Sequence, residues 1–370
     1  MALVGAGGHG RASARWRDTR VMTVDDAAPS PEDADRLERL IRGYQFTQAL
    51  RVAAELQVPD LVADGPLPLE VLAVRAGAHP PSLGRLLRAL ATLGVLRETE
   101  PDVFGPTSLS DALRTGPAGS RRDWLLFNAM DSAPTWAELG HSVRTGATAT
   151  SLVYGMDSWS WRQQHPEHGA RFDAAMSDVS RRRAAGFVAA CDAGRYRTVV
   201  DVGGGRGVLL AALLRANTHL RGVLLDLPHV VEAAPALLAD AGVLERVTIV
   251  AGDFFAGVPS GADAYVLSMV LHDWDDDRCT TILERCRATM GGDAVLLLHE
   301  RVLPSGPDRP WDPYFSDLNM LQGPGGRERS ELDWRTLLAT AGFVVRRIVP
   351  TSAGNGIAVI EVRVESASST

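Results

Sequence analysis

A glycine-rich turn follows a short apolar run near the middle of the chain. Residues 199–207 read VVDVGGGRG, and a helical pattern begins at Val208. Glycines at such a turn let the backbone bend sharply and approach a ligand closely, so Asp201, Gly203 and Gly205 are candidate ligand contacts. The spacing is not the GxGxxG of dinucleotide sites, whose third glycine comes one residue later. The turn therefore argues against a nicotinamide dinucleotide.

Two further carboxylates follow the next apolar runs. Asp226, with Leu227 beside it, ends the second run and could accept hydrogen bonds from both hydroxyls of a ribose. Asp253 follows the third run and could accept from an adenine amino group, while Phe254 could stack on the ring. Because the carboxyl ends of parallel strands meet at one edge of a sheet, these residues predict a nucleoside site. The alternative is a set of unrelated loop carboxylates.

His272 stands just past the end of the fourth apolar run, in the sequence VLHDW. A lone histidine is more often structural than catalytic. This one, however, is predicted at the carboxyl end of a strand, on the crevice side, where ligands of open α/β sheets bind. His272 is therefore a candidate catalytic residue.

The elements that position these groups form a doubly wound α/β sheet. Short apolar runs alternate with helical spans, which is typical of mainly parallel strands. The predicted strands are 198–202, 223–226, 247–250, 264–269 and 294–300. Two later runs, 343–349 and 357–364, flank a glycine-containing turn and predict a hairpin, so that one edge strand runs antiparallel.

Helical patterns precede the sheet. The first pattern is an apolar helical face over 37–56. Two short helices and a short apolar segment after a charged turn follow it. Together they predict a winged-helix domain over 36–118. Its second helix is mostly apolar, whereas a helix that reads DNA needs several polar side chains. We therefore favour a dimerisation module over a winged-helix regulator. Residues 119–194 predict a helical connector with a loop at 146–155, and residues 195–365 predict the ligand-binding domain.

Composition excludes several classes of protein. The chain has 370 residues, of which 45% are hydrophobic and 22% charged, with a net charge of −7. No uncharged apolar run is long enough to span a bilayer, and a mildly acidic chain is a poor binder of nucleic acid. Its basic residues are all arginines, which excludes lysine Schiff-base chemistry, and three unpatterned cysteines favour a reducing compartment. We expect a cytoplasmic protein whose residues 1–35 form a disordered extension.

Five motifs in order carry a family resemblance. They are DVGGGRG from Asp201, DLPH from Asp226, GDFF from Gly252, LHDW from Leu271 and GGRER from Gly325. Together they resemble the S-adenosylmethionine-dependent O-methyltransferases typified by plant caffeic acid O-methyltransferase and by bacterial enzymes that act on aromatic polyketides. The resemblance covers roughly residues 36–365. It implies a Rossmann-like methyltransferase sheet and an N-terminal winged-helix domain that serves dimerisation.

The resemblance also implies a chemistry. It makes His272 the general base, and Glu300 and Glu328 the carboxylates that orient its ring. A phenol with a pKa of ~10 is mostly protonated at neutral pH, whereas an imidazole near ~6.5 can accept its proton. The sulfonium donor is already activated, so no metal is required. The acidic cluster at Asp273 and 275–277 is interpreted as a helix start that complements the dipole; a metal site is the alternative.

The remaining predicted contacts combine positions that match the family with candidates chosen by residue type, and plain core packing is the alternative for part of the acceptor candidates. Trp274 is predicted to border the adenosine, and Ser268 stands where plant relatives tend to have a lysine that contacts the cofactor. Phe172 and Met176 match positions that flank a planar acceptor. The further candidates for the acceptor pocket are Asn128, Met130, Trp136, Met269, Asp317, Asn319 and Met320.

These expectations combine into one functional hypothesis. The chain is predicted to be a homodimer that methylates a hydroxyl, expected to be phenolic, of an aromatic polyketide-type molecule in natural-product biosynthesis. Hydroxybenzoates, naphthoates and quinones are the best acceptor class. A homologue that binds S-adenosylmethionine but hydroxylates or decarboxylates a polyketide is the first alternative, and the winged-helix regulator is the second. No nucleic-acid partner, membrane or metal is expected.

Overall fold

The structure is a computed structural model that describes residues 30–116, 119–306, 309–352 and 355–365. Its contacts divide the chain into residues 1–45 and residues 46–370, which are described separately. In the first unit, helix α1 (Pro31–Ile41) begins after Ser30, whose side chain accepts a hydrogen bond from the Asp33 amide at 3.1 Å. The predicted disorder up to residue 35 is therefore wrong for residues 30–35, since this cap and a first-turn proline start a helix there. Residues 1–29 lie outside the described residues.

The rest of the N-terminal region forms short helices and a small sheet. Its elements are α2 (Gly43–Glu55), α3 (Val58–Leu61), β1 (Leu67–Pro68), α4 (Leu69–Ala76), α5 (Pro80–Thr92), β2 (Leu96–Glu100), β3 (Val103–Pro106) and α6 (Ser108–Asp111). The helix predicted over 37–56 is interrupted between α1 and α2. The winged-helix prediction is confirmed: β2 and β3 pair antiparallel, and β1 adds to β3. Leu72, Leu87 and Phe104 are fully buried between these elements.

Helices of the connector form the next part of the chain. They are α7 (Arg122–Leu126), a π-helix (Phe127–Ser132), α8 (Ala133–Ala137), α9 (Leu139–Thr145), α10 (Ala149–Tyr154), α11 (Ser158–Gln164) and α12 (Pro166–Ala190). The loop predicted at 146–155 is wrong, because α10 occupies most of it. Thr148 caps this helix by accepting from the Ser151 amide at 3.2 Å. The flanking Gly146 and Gly155 end α9 and α10 at positive φ; they mark two helix ends.

A mixed sheet makes up the last part. Its strands are β4 (Thr198–Val202), β5 (Arg221–Asp226), β6 (Val247–Ala251), β7 (Ala264–Ser268), β8 (Val295–Leu303), β9 (Arg329–Ser330), β10 (Phe343–Pro350) and β11 (Ile357–Val364). The strand order is β10-β11-β8-β7-β4-β5-β6, with β9 paired to β8. The five central strands run parallel, which confirms the predicted Rossmann-like sheet.

The terminal hairpin differs in one respect from the prediction. Strand β11 lies between β8 and β10 and pairs antiparallel with both. The antiparallel strand is therefore internal, and the edge strand β10 runs in the direction of the central strands. The hairpin turns back into the sheet because β11 is buried over Ile357–Glu361, whereas β10 is mostly half-buried or exposed and suits an edge.

Helices cover both faces of the sheet. They are α12 and α13 (Val208–Ala216), α14 (Pro228–Val231), α15 (Ala234–Asp240), α16 (Asp276–Thr289), α17 (Trp311–Gln322) and α18 (Glu331–Thr340). In β4, Val200 packs in a cluster with Ile282 of α16 and Trp334 of α18. Its neighbour Val199 packs in the opposite cluster with Phe187 of α12. Side chains alternate along a strand, so both faces of these central strands are occupied by apolar packing. Among the described residues, no helix has the length and apolar character that crossing a bilayer requires.

Candidate active site

The glycine turn after β4 has the geometry that the sequence predicts. Gly203 and Gly205 adopt φ of 68° and 61°, which a side chain rarely tolerates. A Cβ atom on Gly204 would lie 2.5 Å from Oδ2 of Asp201. Asp201 itself is 2% exposed and lies beneath the turn, where burial raises its pKa to about 7. Direct contact between Asp201 and a ligand stays a prediction, and the turn itself, at 203–206, is half-buried.

Asp226 ties the end of β5 to this turn. One carboxylate oxygen accepts from the Gly205 amide at 2.7 Å, and the other accepts from the Leu227 amide at 2.7 Å. Burial raises its pKa, and these two hydrogen bonds lower it. A carboxylate oxygen has two lone pairs, so each oxygen can still accept a hydrogen bond from a ribose hydroxyl. The residues present therefore fit the nucleoside part of the expected cofactor.

Aromatic rings border the same edge of the sheet. Asp253 accepts from the Phe255 amide at 2.8 Å, and the ring of Phe254 lies 3.4 Å from the Cβ position of Gly203. Trp274 contacts the Phe255 ring edge-on at 4.9 Å between centroids and stacks with Trp159 at 5.6 Å. Such rings can hold a flat base. Trp159 was not predicted; its place on an aromatic-rich helix was the available signal.

His272 lies in the 3-10 turn Leu271–Asp273 that follows β7 and is 8% exposed. Its Nδ1 donates to Oε1 of Glu328 at 3.1 Å, and its Nε2 lies 3.7 Å from Oδ1 of Asp273. Burial would lower the pKa of His272, but the charges of Glu328 and Asp273 raise it to about 9. The carboxylate of Glu328 therefore favours the charged form of the ring and fixes its orientation.

Glu328 has further contacts besides its hydrogen bond with His272. Ser316 of α17 donates to Oε1 at 2.6 Å, and the Arg301 guanidinium lies 3.3 Å from the same atom. The backbone amide of Glu328 donates to the Asp317 carboxylate at 2.8 Å. Asp317, which was predicted to line the pocket for the methyl acceptor, therefore helps to position Glu328. Burial opposes ionisation, yet the charge of His272 and these hydrogen bonds lower the pKa of Glu328 to about 2. Glu328 is thus a stable carboxylate.

Glu300 has no hydrogen bond to the ring of His272 among the described contacts, although its charge helps to raise the pKa of the ring, so its orienting role stays a prediction. Its Oε1 accepts from the amides of Val270 and Leu271 at 2.9 and 2.8 Å. Burial raises its pKa to about 7. The parallel register of β7 and β8 pairs Ser268 with His299, which aims Glu300 at the backbone beyond β7. Glu300 therefore positions the turn that carries His272.

Ser268 faces a second buried histidine. Its hydroxyl lies 2.9 Å from Nδ1 of His299, so the structure pairs it with that ring and gives no support to the predicted cofactor contact. Burial, with the charge of Arg183, lowers the pKa of His299 to about 3. His299 therefore stays neutral at physiological pH. It was not predicted, since a histidine inside an apolar strand is usually structural.

The predicted acceptor residues come from several elements. Phe172 of α12 contacts Phe127 and Trp159 edge-on at 5.6 and 5.8 Å, while Trp136 donates to the Asn319 side chain at 3.2 Å. The π-helix carries Asn128 and Met130, Met176 lies half-buried on α12, Met320 is buried on α17, and Met269 adopts a left-handed φ of 55°. The Asn128 amide is held by the Trp124 carbonyl at 2.7 Å. The apolar period of a sequence predicts a helix but does not reveal a π-turn within it.

The acidic cluster acts as a helix start. Asp275 caps α16 by accepting from the Arg278 amide at 2.8 Å. Asp276 pairs with Arg329 at 2.6 Å and with Arg327 at 2.8 Å. These contacts support the interpretation through the helix dipole. Over the described parts of the chain, no group of three or more His, Cys, Asp or Glu side chains is arranged to hold a metal ion.

Comparisons with known proteins show the family of this chain. The model of the O-methyltransferase domain matches residues 136–344, and that of the O-methyltransferase dimerisation domain matches residues 38–116. The chain is 41% identical over 342 residues to phenazine O-methyltransferase PhzM of Lysobacter antibioticus, covering 92% of this chain and 99% of that one. The crystal structure of LaPhzM matches with a TM-score of 0.87 at 41% identity, covering 91% and 100% of the two chains.

A second solved structure was determined with ligands. It is the O-methyltransferase NcsB1 from neocarzinostatin biosynthesis, in complex with S-adenosylmethionine and 2-hydroxy-5-methyl naphthoic acid. It matches with a TM-score of 0.73 at 38% identity, covering 86% of this chain and 96% of that one. The predicted resemblance and the methyl donor are thereby confirmed. The chain belongs to the S-adenosylmethionine-dependent O-methyltransferases of bacterial natural-product biosynthesis.

Proposed function

We propose that this enzyme methylates a phenolic hydroxyl of an aromatic polyketide-type molecule, with His272 as the general base. The observation that carries the proposal is the buried His272–Glu328 pair at the carboxyl end of β7. His272 lies two residues before Trp274, beside the edge where the glycine turn and Asp226 fit a nucleoside. A histidine oriented by a carboxylate has the arrangement that a general base requires.

Each residue has a defined task in the reaction. S-adenosylmethionine, when bound, supplies a methyl group on a sulfonium that needs no further activation. With Nδ1 donating to Glu328, the neutral ring of His272 offers Nε2 to the acceptor hydroxyl and takes its proton. Glu328 stabilises the imidazolium that forms. Proton removal as the methyl arrives avoids a cationic ether, and the aromatic walls align oxygen with carbon.

The acceptor class follows from the rings and from the relatives. Phe172, Trp159 and Trp136 offer flat surfaces for an aromatic acceptor. The similarity to PhzM and to NcsB1 supports a polycyclic phenol such as a hydroxynaphthoate. Incubation with S-adenosylmethionine and hydroxynaphthoic acids, followed by mass spectrometry, tests this directly. A product heavier by one methylene supports methylation, whereas addition of oxygen or loss of carbon dioxide supports the alternative activities.

The homodimer is part of the proposal. The dimerisation-domain match covers 38–116, and Leu40, Ile41 and Tyr44 are 70%, 59% and 67% exposed. Large apolar side chains exposed together suit a partner surface. Sedimentation equilibrium that gives twice the chain mass of 39.6 kDa supports this proposal, and a concentration-independent monomer contradicts it.

Replacement of Asp226 by alanine should weaken the affinity for S-adenosylhomocysteine about 10–100-fold. The change removes a charged acceptor for the ribose and also releases the Gly205 amide. Titration calorimetry measures the effect. Asp240→Ala, at an exposed helix end, is the matched control. An Asp226→Ala protein with wild-type affinity would remove this residue from the cofactor site.

The positive charge of the methyl donor should lower the pKa of His272. Its pKa is about 9 in the free chain, and a nearby sulfonium disfavours the imidazolium. We expect the pKa to be lower with S-adenosylmethionine than with neutral S-adenosylhomocysteine, by about one pH unit or more. NMR titration of the ring protons measures this, with His272→Ala assigning the signal. Equal values in the two complexes would place the sulfonium far from the ring.

A further inference from the structure

Arg162 of α11 places a guanidinium among the aromatic residues of the site. Its Cζ lies 3.6 Å from the ring centroid of Phe172 and 5.0 Å from that of Trp159. Phe172 is a predicted acceptor contact, and Trp159 stacks on Trp274 at the cofactor edge. The side chain is partly exposed. The guanidinium therefore lies between the two halves of the proposed site and remains accessible to a ligand.

This guanidinium has no anionic partner in the described part of the chain. It makes no hydrogen bond there, and no carboxylate lies within 4.0 Å of it. Two other arginines nearby are paired: Arg171 donates to both carboxylate oxygens of Asp131, at 2.8 and 3.1 Å, and Arg206 lies 3.6 Å from Asp173. Arg162 thus differs from both of these arginines.

The neighbouring carboxylates act on Arg162 only from a distance. Burial lowers the pKa of Arg162 to about 10, against the opposing charges of Asp273 and Asp173. Asp157 caps α11 by accepting from two amides, and Asp273 lies beside the His272 ring. Arg162 is still charged at neutral pH, and a partly buried cation without hydrogen bonds is costly. Stacking on two rings offsets part of that cost and leaves the donors in the guanidinium plane unused.

From this geometry we infer that Arg162 binds a carboxylate on the aromatic acceptor, so that the natural substrate is a hydroxylated aromatic acid. The inference rests on the proposed function and deepens it. A planar guanidinium fork matches a carboxylate through two parallel hydrogen bonds. Its position over Phe172 places such a carboxylate at the rim of an aromatic platform. The anion would also balance the positive charges of Arg162 and of the methyl donor.

Binding to the wild-type protein gives the first test. Calorimetry on the protein saturated with S-adenosylhomocysteine compares a hydroxynaphthoic acid with its neutral carboxamide, which has nearly the same shape. We expect the acid to bind at least about tenfold more tightly, since a charge-assisted pair is replaced by a weaker one. Equal affinity, or preference for the carboxamide, would overturn the inference without the need for any variant.

Variants assign the discrimination to Arg162. Arg162→Met should weaken binding of the acid about 10–100-fold and change binding of the carboxamide by less than about threefold. Arg162→Lys keeps the charge without the fork and should give an intermediate loss. Arg144→Met, at an exposed position on α9, is the matched control. An equal loss for both ligands would mean that Arg162 only packs, which overturns the inference.

The methionyl carboxylate of the cofactor is the other source of the same chemistry. Arg162→Met should leave the affinity for S-adenosylhomocysteine within about twofold of wild type. A large loss that disappears with the decarboxylated cofactor analogue would assign the guanidinium to the cofactor and overturn the inference. Binding and turnover are separate readouts. Tight, Arg162-dependent binding of the acid without methylated product defeats the proposed function alone, whereas methylation that ignores Arg162 and the carboxylate defeats the inference alone.

Discussion

Replacement of His272 by alanine should lower turnover about 10²–10⁴-fold, the usual contribution of a general acid or base. The acceptor phenol would then have to transfer its proton to water in a buried site. Affinity for S-adenosylhomocysteine should change little, because the glycine turn and Asp226, which we propose bind the cofactor, follow other strands. Single-turnover rates with a saturating hydroxynaphthoate measure the effect, and calorimetry measures the affinity.

Two controls separate lost chemistry from lost structure in this variant. His79→Ala alters an exposed histidine of the N-terminal domain and should retain wild-type turnover. Added imidazole should restore part of the rate to His272→Ala, because a small base can enter the space left by the ring. Wild-type turnover in His272→Ala would refute the assignment. A slow variant that has also lost the cofactor would assign His272 a structural role.

The exchange of Glu328 for glutamine should have the second-largest effect, a loss of about 10²–10⁴ in turnover. The neutral amide removes the charge that raises the pKa of His272 and no longer favours the imidazolium. The pKa of the ring should therefore fall toward its ordinary value near ~6.5. The acid limb of the pH–rate profile should move to lower pH, a change that a simple loss of folding would not produce.

Glu300→Gln provides the matched comparison. A glutamine oxygen can still accept from the Val270 and Leu271 amides. We therefore expect a loss of no more than about tenfold and little displacement of the pH profile. If Glu300→Gln proves more damaging than Glu328→Gln, the orienting role belongs to Glu300, and the geometry described for the free chain does not persist during the reaction.

Local patterns were sufficient for the order and type of the main elements. The strands at 198–202 and 357–364 begin and end where the apolar runs do, since burial of both faces of a sheet requires continuous apolar residues. The wing and the helices before it were also recognisable. Failures occurred where side-chain capping overrides composition, as at Ser30 and at Thr148, or where one extra residue converts an α-helix into a π-turn.

The sequence by itself determined which groups reach the carboxyl edge of the sheet. A polar residue at the end of a parallel strand lies at the carboxyl edge of the sheet whichever strands are its neighbours. Asp226 and His272 were predictable for this reason. It could not determine which carboxylate meets the ring. Glu328 is distant in sequence from His272 and reaches it through the packing of α17 and β9, whereas Glu300 is directed elsewhere by strand register.

The same limit explains why Arg162 was not predicted as a site residue. A sequence contains an arginine on a short helix and nothing about its partners. Whether a guanidinium is paired depends on the distances to carboxylates on other helices, and these are set by how α11, α12 and the sheet pack. Only the tertiary structure places that charge over Phe172 without a carboxylate in reach, because pairing is a property of three-dimensional neighbours and not of neighbours along the chain.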